Sequence, residues 1–378
     1  MPDSRATGER AFIHDLRTQV ERANRPPRAS QRGSISGPAS RALTLGIGDD
    51  CAILQPPAGH EILVTTDFTL ETVHFHRDWH SPESVGHRCL ARGLSDLAAM
   101  GAEPLAAFLS LALPVELTRS RRGQDSWRTR FFDGFLALAD QYHVPLAGGD
   151  TALSPRISAA SLGRAATGLA LADIVLIGSA PRGRSLRRST AKAGDGVYVS
   201  GFLGGAAAEL AQLAAHPRHF RALRLSASSI AADGIEAANA HPHLLPKPRL
   251  AVGTWLRKHH RASSAIDISD GFSTDLHHIC EESHLAATVD AGLLPMHPLA
   301  MAQTTELDMA LHGGDDYELL FTASPHVHIP RRIAGVPITR IGEMRAARSG
   351  TPRVLLARQM NGRTVAEPLP SGGWEHSV

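Results

Sequence analysis

The sequence predicts a two-domain protein of the α/β (α+β) class. Its 378 residues exceed the roughly 100–200 residues of one ordinary domain. Apolar runs of strand length alternate along the chain with stretches of helical periodicity, and glycine-rich acidic clusters adjoin several of these runs. We place the boundary near residue 180, which gives an N-terminal domain of residues 1–180 and a C-terminal domain of residues 181–378.

The N-terminal domain is predicted to begin with an amphipathic helix, Gly8–Val20, and a polar, flexible loop over residues 24–40. A turn between two short strands follows at residues 44–54, and Glu61–Asp67 has the pattern of a strand. The later elements are a helix over residues 84–100, a strand over residues 105–113, a charged insertion-like stretch over residues 119–130, a helix over residues 131–142 and a strand over residues 169–178.

The C-terminal domain continues the same alternation. Its predicted elements are a turn and strand over residues 194–201, helices over residues 207–215 and 250–258, a helix from Thr274, a strand over residues 319–322 and a short α/β segment through residues 341–343. No Gly-x-x-x-x-Gly-Lys-Ser/Thr motif occurs, which excludes a P-loop.

The composition limits the partners. A net charge of +2 and an aromatic share of 5% argue against nucleic acid as the main partner. Three cysteines without Cys-x-x-Cys spacing support neither a disulfide framework nor a structural zinc site, which favours a reducing compartment. No apolar run approaches the ~20 residues of a membrane span, and the N-terminus is polar. We therefore expect a cytoplasmic protein without a membrane partner.

Four acidic clusters lie beside glycine next to apolar runs, as in loops at strand ends. They are Gly46–Asp50, Gly148–Thr151, Asp267–Gly271 and Gly313–Glu318. Carboxylates this close together repel and raise one another's pKa unless a cation lies between them. The clusters therefore predict hard divalent metal ions and indicate a Mg²⁺-dependent ATP enzyme. Thr65-Thr66-Asp67 suits the same ligation, although it equally suits a turn cap.

Several single residues leave alternatives open. Asp96 lies on a helical face of small residues, where its charge needs a partner such as a metal ion. Ser269 and Asp270 can cap the following helix, but a cap explains one acid of that cluster and not two. From pattern alone, His74 is more typical of a structural histidine than of a ligand contact. Trp374 is likewise more typical of a residue that anchors the C-terminal tail than of a ring over a flat ligand.

The ordered set of motifs resembles the thiamine-monophosphate kinases, of the superfamily that includes aminoimidazole ribonucleotide synthetase. The matching segments, in the family's order, are Gly48–Ala52, Thr65–Asp67, Val73–Phe75, Leu94–Ala102, Gly149–Thr151, Asp267–Gly271, Gly313–Glu318 and Gly373–His376. The resemblance implies transfer of a phosphoryl group from ATP to thiamine monophosphate, with thiamine diphosphate and ADP as products. It also implies an aminoimidazole ribonucleotide synthetase-like fold, a homodimer joined through the N-terminal sheets, and an active site between the domains.

The resemblance assigns a role to individual residues. The shell of several Mg²⁺ ions would be Asp49, Thr65, Thr66, Asp67, Asp96, Asp150, Asp267 and Asp270. ATP would lie on Gly149, Asp150, Arg188 and Ser269. Thiamine monophosphate would face His74, Trp374 and the Asp315–Glu318 segment, in which Asp315 and Glu318 are the candidates and the contact of Asp316 stays open. Asp150 and Asp270 would be the catalytic pair.

Two other interpretations stay open at the level of sequence. One is another ATP-dependent enzyme of the same superfamily, such as an amide-activating synthetase. The other is a non-catalytic nucleotide-binding relative, because the family's usual Thr-Arg-Gly after Asp150-Thr151 is replaced by Ala152-Leu153-Ser154. Retention of every acidic cluster argues against the second.

Overall fold

The computed structural model describes residues 16–18, 42–120, 125–155, 168–216 and 241–375. Of the predicted N-terminal helix only residues 16–18 fall in this part of the chain, and they are helical. The loop predicted over residues 24–40 lies outside the described residues. The described residues divide between two compact units, which we call the first unit and the second unit.

The first unit is built around a four-stranded sheet. The strands of the unit are β1 (Leu43–Leu45), β2 (Ile53–Leu54), β3 (His60–Leu70), β4 (Glu103–Leu113), β5 (Leu146–Leu153) and β6 (Leu171–Pro181). Its helices are α1 (Pro82–Ala99), α2 (Val115–Thr118) and α3 (Trp127–Gln141). The sheet order is β3-β6-β4-β5, with β4 antiparallel to β6 and parallel to β5. β1 and β2 form a separate antiparallel pair. The unit takes in α1 only as far as Gly93 and β6 only as far as Ser179.

Two glycines set the spacing of α1 and α3. A Cβ atom on Gly86 would lie 1.9 Å from the carbonyl oxygen of Phe131, and one on Gly134 would lie 1.9 Å from that of Glu83. Real Cβ atoms cannot approach an oxygen so closely, so each helix presents a glycine to the other's backbone. Phe131 and Phe135 are fully buried beside this crossing.

One face of β3 carries exposed apolar side chains. Ile62, Val64 and Phe68 are 45%, 64% and 60% exposed, whereas Leu63 and Thr69 are buried. Because successive side chains of a strand point to opposite faces, the exposed residues share one face of an edge strand. The first unit therefore has an uncovered apolar strip, Ile62-Val64-Phe68.

The second unit contains Leu94–Ala102 and the described residues from Ala180 onward. Its strands are β7 (Gly196–Ser200), β8 (Ser264–Asp267), β9 (Leu285–Asp290), β10 (Leu319–Ala323), β11 (Arg332–Ile333), β12 (Val336–Ala346), β13 (Val354–Met360) and β14 (Arg363–Pro368). Its helices are α4 (Gly205–Ala215), α5 (Leu250–Lys258), α6 (Phe272–Glu282), α7 (Pro298–Met301) and α8 (Glu306–His312), with 3₁₀ turns at Arg188–Thr190 and Ala291–Leu293.

An eight-stranded sheet organises this unit. Its order is β14-β13-β9-β12-β7-β10-β8, and β11 pairs with β12. The β9–β13 pair is parallel, and the other pairs are antiparallel. Val197, Ile266, Phe272 and Met344 are buried in its core. No helix in the described residues is long and apolar enough to cross a membrane.

Most predicted elements are confirmed, and α5 has the predicted bounds. Three predictions were wrong. Residues 127–130 belong to α3, whose start is capped by the Ser126 hydroxyl accepting the Thr129 N–H at 3.0 Å. Residues 148–151 lie within β5 and not beyond a strand end, and residues 341–343 lie within β12. The assignment of separate functional domains to residues 1–180 and 181–378 stays a prediction.

Candidate active site

A cavity of about 600 Å³ in the first unit brings together three predicted site residues. The turn between β1 and β2 contributes Asp49, and β5 contributes Gly149 and Asp150. The Asp49 carboxylate accepts the N–H of the next residue at 2.8 Å, and the Asp150 carboxylate does the same at 2.8 Å. Each carboxylate is thus held against its own backbone at the wall of one cavity.

Gly149 is required here by the sheet itself. It pairs with Leu109 on β4, and a Cβ atom at this position would lie 1.9 Å from the Leu109 carbonyl oxygen. Its φ of 150° is also one that residues other than glycine rarely adopt. The close approach of β4 and β5 accounts for this glycine, and its predicted contact with ATP stays a prediction.

The predicted ligands of β3 point to two faces. Thr66 is exposed, and its hydroxyl donates to Asp173 Oδ1 on β6 at 2.9 Å. Thr65 and Asp67 lie on the opposite face, where Asp67 Oδ1 is 3.8 Å from Arg92 Nε. Thr66 could therefore ligate an ion beside Thr65 and Asp67 only through its carbonyl oxygen.

His74 has one defined tautomer when neutral. The Leu70 N–H donates to His74 Nδ1 at 2.9 Å, so Nδ1 is an acceptor. The proton of the neutral ring is then on Nε2. Arg88 donates to the His74 carbonyl oxygen at 3.3 Å, which holds the same loop. The ring can offer an N–H donor to a carbonyl or phosphate oxygen.

The Asp267–Gly271 segment links β8 to α6 in the second unit. Asp267 is buried, and its Oδ2 accepts the Ser95 hydroxyl at 2.7 Å. Asp96 follows Ser95 directly on α1 and is half-buried. Ser95, the neighbour of the predicted ligand Asp96, is therefore hydrogen-bonded to the predicted ligand Asp267, and no role was predicted for Ser95 from the sequence.

Asp275 occupies the start of α6. Its Oδ2 accepts the N–H groups of Ser269 and Gly271 at 3.1 and 3.2 Å, and Gly271, the N-cap residue, makes no side-chain cap. The alternative that Ser269 or Asp270 caps α6 is therefore wrong. Burial raises the pKa of Asp275 well above its usual range, and the nearby carboxylates of Asp267 and Asp270 raise it further.

The residues around Asp270 fit a divalent cation. Asp270, Asp275 and His278 each offer one ligand atom, and these atoms lie within 4.8 Å of one another. The positive charge of Arg188 acts on the same group of acids by lowering the Asp275 pKa. Carboxylate oxygens suit Mg²⁺. Asp275 and His278 were not predicted from the sequence, although their spacing of three residues places them on one helix face.

The acidic segment before β10 lies alongside Asp267–Gly271. The Asp315 N–H donates to the Ser269 carbonyl at 2.8 Å, and the Tyr317 N–H donates to the Ile268 carbonyl at 2.9 Å. Both Asp315 and Tyr317 have positive φ, 65° and 50°. Non-glycine residues in this region are uncommon and often mark functional sites.

Glu318 is enclosed by protein groups. It is 3% exposed, and its carboxylate accepts the Ser200 hydroxyl at 2.5 Å and forms a bidentate ion pair with Arg249. Such an arrangement holds β7, β10 and the start of α5 together. The predicted contact of Glu318 with substrate stays a prediction.

Asp316 anchors the N-terminus of α4. Its two oxygens accept the Gly204 and Ala206 N–H groups at 2.7 and 3.2 Å. Burial raises the Asp316 pKa to about 7, against the lowering effect of these two bonds. The side chain of Asp315 is 26% exposed and that of Glu318 only 5%, and both oxygens of Asp316 are bound to the N-terminus of α4.

The C-terminal tail forms one wall of a second cavity, of about 410 Å³. The Trp374 N–H donates to the Asp270 carbonyl at 2.8 Å, and the Gly373 N–H donates to Thr274 Oγ1 at 3.0 Å. The Trp374 side chain nevertheless stays 55% exposed and lines the cavity with Asp270 and His278. The backbone N–H groups of Gly373 and Trp374 thus anchor the tail, and the Trp374 ring lines the cavity.

The comparisons first define the class. The family model described as AIR synthase related protein, N-terminal domain, matches residues 48–170. This range begins at the β1–β2 turn and includes β3, β4 and the acidic part of β5. This part of the chain is thus similar to the N-terminal domain of the AIR synthase-related proteins.

The similarity to individual proteins defines the family. The thiamine-monophosphate kinase of Salmonella typhimurium is 38% identical over 312 residues, which cover 80% of this chain and 84% of that protein. This chain belongs to the thiamine-monophosphate kinase family. The family and fold expected from the sequence are confirmed.

Solved structures agree with that assignment. The thiamine-monophosphate kinase from Stenotrophomonas maltophilia K279a matches with a TM-score of 0.67 at 32% identity, covering 93% of this chain and 96% of that one. AaThiL, complexed with AMPPCP and TMP, matches with a TM-score of 0.64 at 24% identity over 100% and 99% of the two chains. At that identity the second match shows the shared fold.

Proposed function

We propose that this protein transfers the terminal phosphoryl group of ATP to the phosphate of thiamine monophosphate, giving thiamine diphosphate and ADP. The observation that carries the proposal is membership of a kinase family of this activity over four fifths of the chain. The ligands of AaThiL, the ATP analogue AMPPCP and TMP, support the same pair of substrates. Family membership favours this reaction over those of other enzymes in the superfamily.

The reaction suits a site made of carboxylates and hydrogen-bond donors. Phosphoryl transfer depends on positioning and charge neutralisation, because charge is spread over the oxygens of the moving group. The accepting phosphate is already anionic, so a strong general base is not needed. The difficulty lies in bringing two polyanions together.

Magnesium ions fit the oxygen-rich donor set described above. When bound, Mg²⁺ neutralises phosphate oxygens and stabilises the charge that develops during transfer. The proposed holders are Asp49, Thr65, the Thr66 carbonyl, Asp67 and Asp150 in the first unit, and Asp96, Asp267 and Asp270 in the second. Ser95 orients Asp267 through the hydrogen bond to its carboxylate.

The other predicted site residues act as donors or as a surface for substrate. Arg188 can offer a forked pair of N–H donors to phosphate. Ser269 and Gly149 would lie against ATP. His74 would donate a hydrogen bond from Nε2–H to the substrate, and the exposed Trp374 ring would lie against a flat heterocycle.

The first experiment measures ADP release with Mg²⁺ and ATP, with and without thiamine monophosphate, and identifies thiamine diphosphate by mass. Asp270→Asn and Asp150→Asn should each lower kcat about 100-fold or more, because a charged group that stabilises the transition state is lost. Chelation of Mg²⁺ should abolish turnover, and added Mg²⁺ should restore it.

Asp140→Asn is the matched control, since it removes an exposed carboxylate of α3 outside the site and should leave kcat unchanged. The proposal is wrong if the wild-type protein binds ATP but thiamine monophosphate elicits no ADP. If Asp270→Asn and Asp140→Asn behave alike, the role given to Asp270 is wrong.

We also propose a homodimer in the cytoplasm. The uncovered apolar strip Ile62-Val64-Phe68 on an edge strand supports a second copy as its partner. The cytoplasmic location rests on the ATP that the reaction consumes.

A further inference from the structure

We infer that Tyr317 and His243 are positioning residues that hold the Asp315 carboxylate for recognition of the substrate. The inference rests on the proposed function, because it takes Asp315 to face thiamine monophosphate. The sequence placed Tyr317 only within the Asp315–Glu318 segment and gave His243 no role. Both lie against Asp315 from the protein interior, each 2% exposed.

Tyr317 fixes one oxygen of Asp315. Its hydroxyl donates to Asp315 Oδ1 at 2.7 Å across only two residues of chain. This contact depends on the left-handed backbone at both residues, which the N–H bonds to the Ile268 and Ser269 carbonyls maintain. The strained conformation therefore places a phenol donor on the carboxylate and keeps it there.

His243 lies beside the other oxygen. Its Nδ1 is 3.8 Å from Asp315 Oδ2. The backbone that carries this imidazole is held by Glu209 on α4, whose Oε2 accepts the backbone N–H groups of His243 and Leu244 at 2.7 and 3.1 Å. Glu209 Oε1 is 2.8 Å from His241 Nδ1. A buried carboxylate thus fixes the turn that carries His243.

These contacts restrict what Asp315 can recognise. A carboxylate held on its inner side presents its outer edge in one orientation, with 26% of the side chain exposed. A carboxylate repels phosphate, so this edge suits the part of the substrate that carries positive charge or N–H donors. In thiamine monophosphate these are the thiazolium ring and the amino group of the pyrimidine. Preorganisation by Tyr317 and His243 would lower the entropy cost of that contact.

A double-mutant cycle tests the inference. Tyr317→Phe, Asp315→Asn and the double variant are compared by KM for thiamine monophosphate, by kcat and by calorimetric binding of thiamine monophosphate. Tyr317→Phe should weaken binding and raise KM about tenfold, as for loss of one hydrogen bond to a charged group, with a smaller change in kcat. In the Asp315→Asn background the same substitution should cause no further loss, because the two residues act through one contact.

His243→Gln gives an independent arm of the cycle and should show the same coupling with Asp315→Asn. Tyr198→Phe is the control, because it removes a hydroxyl from a tyrosine of β7 whose ring stacks on Phe321 with the centroids 5.3 Å apart. It should leave KM unchanged. Thermal unfolding of each variant identifies one that fails to fold, in which case the other arm decides.

Equal losses from Tyr317→Phe in the two backgrounds would overturn the inference, since the effect would then come from the fold. Unchanged binding in both Tyr317→Phe and His243→Gln would overturn it as well. If the wild-type protein makes no thiamine diphosphate, the proposed function fails instead, and the calorimetric cycle still reports whether Tyr317 and His243 affect binding of thiamine monophosphate through Asp315.

Discussion

At the scale of the residue, neighbouring acids of the same segment have different tasks. Glu318 is paired with Arg249, Asp316 holds the first N–H groups of α4, and Asp315 presents a carboxylate with 26% exposure. A run of acids in a sequence indicates charge that needs compensation. Which acid is compensated by the protein, and which is left for a ligand, depends on partners far away along the chain.

The contact between Glu209 and His241 gives a prediction for pH dependence. The hydrogen bond between His241 and Glu209 raises the pKa of His241 above the value of about 6.5 that a histidine has in the unfolded chain. The protonated form is therefore favoured by folding, and this stabilisation is fully present below the unfolded pKa and lost as pH rises through the folded pKa. His241→Gln should cost about 1 kcal/mol of unfolding free energy below pH about 6.5, since the side chain is 27% exposed.

Urea unfolding of the wild type and of His241→Gln at a series of pH values measures this difference, which should shrink as the pH rises. His326→Gln, in an exposed loop, is the matched control and should show a small difference at every pH. A His241→Gln difference that stays constant from acid to alkaline pH would contradict the assignment to this ion pair.

At the scale of the element, the crossing of α1 and α3 predicts a stability effect. Gly134→Ala gains about 1 kcal/mol of helix propensity but places a Cβ atom 1.9 Å from the Glu83 carbonyl oxygen. Since backbone cannot move aside as a flexible side chain does, overpacking of about 1–3 kcal/mol or more should exceed the gain. We expect a lower unfolding free energy and a lower Tm.

Denaturant unfolding and thermal scans check this result against Gly46→Ala. There the nearest atom to the added Cβ would be 3.5 Å away, at ordinary contact distance, and φ is not in the left-handed region. Gly46→Ala should therefore change stability little. Equal stability of the two variants would show that α1 and α3 can separate without cost.

At the scale of the whole molecule, the apolar strip Ile62-Val64-Phe68 predicts the oligomeric state. Val64→Lys and Phe68→Lys should each convert the proposed homodimer to a monomer or raise its dissociation constant by orders of magnitude, because burying a lysine between apolar surfaces is costly. Analytical ultracentrifugation over a range of concentrations measures the change.

Leu293→Lys is the control for this experiment, since Leu293 is 50% exposed in the second unit and lies outside the strip. It should leave the oligomeric state unchanged. A wild-type protein that sediments as a monomer at every concentration would rule out the dimer.

The sequence predicted elements well where pattern and local signals agree. α5 has the predicted bounds, and the two strands flanking the Gly46–Asp50 turn are present. The start of α3 was not predicted because the charged side chains of Arg128 and Arg130 interrupt the apolar helical pattern of its first turn. Arg130 forms a bidentate ion pair with Glu83 of α1, at 2.7 and 2.8 Å, so its place in a helix is supported by a contact 47 residues away.

By itself, the sequence determined the kinds of groups in the site and their order along the chain. Carboxylates beside glycine indicate a cation-binding chemistry wherever they occur, and the ordered motifs indicated the family and its fold. These signals are local, because they depend on residue type and spacing.

Only the tertiary structure decided which groups act together. Ser95 meets Asp267 across 172 residues, Asp275 takes the capping role that the sequence offered to Ser269 and Asp270, and Thr66 points away from its two neighbours. Each outcome depends on burial, on strand faces or on long-range hydrogen bonds. Such contacts form only when distant segments pack together, because a buried polar group must find its partner wherever the fold places one.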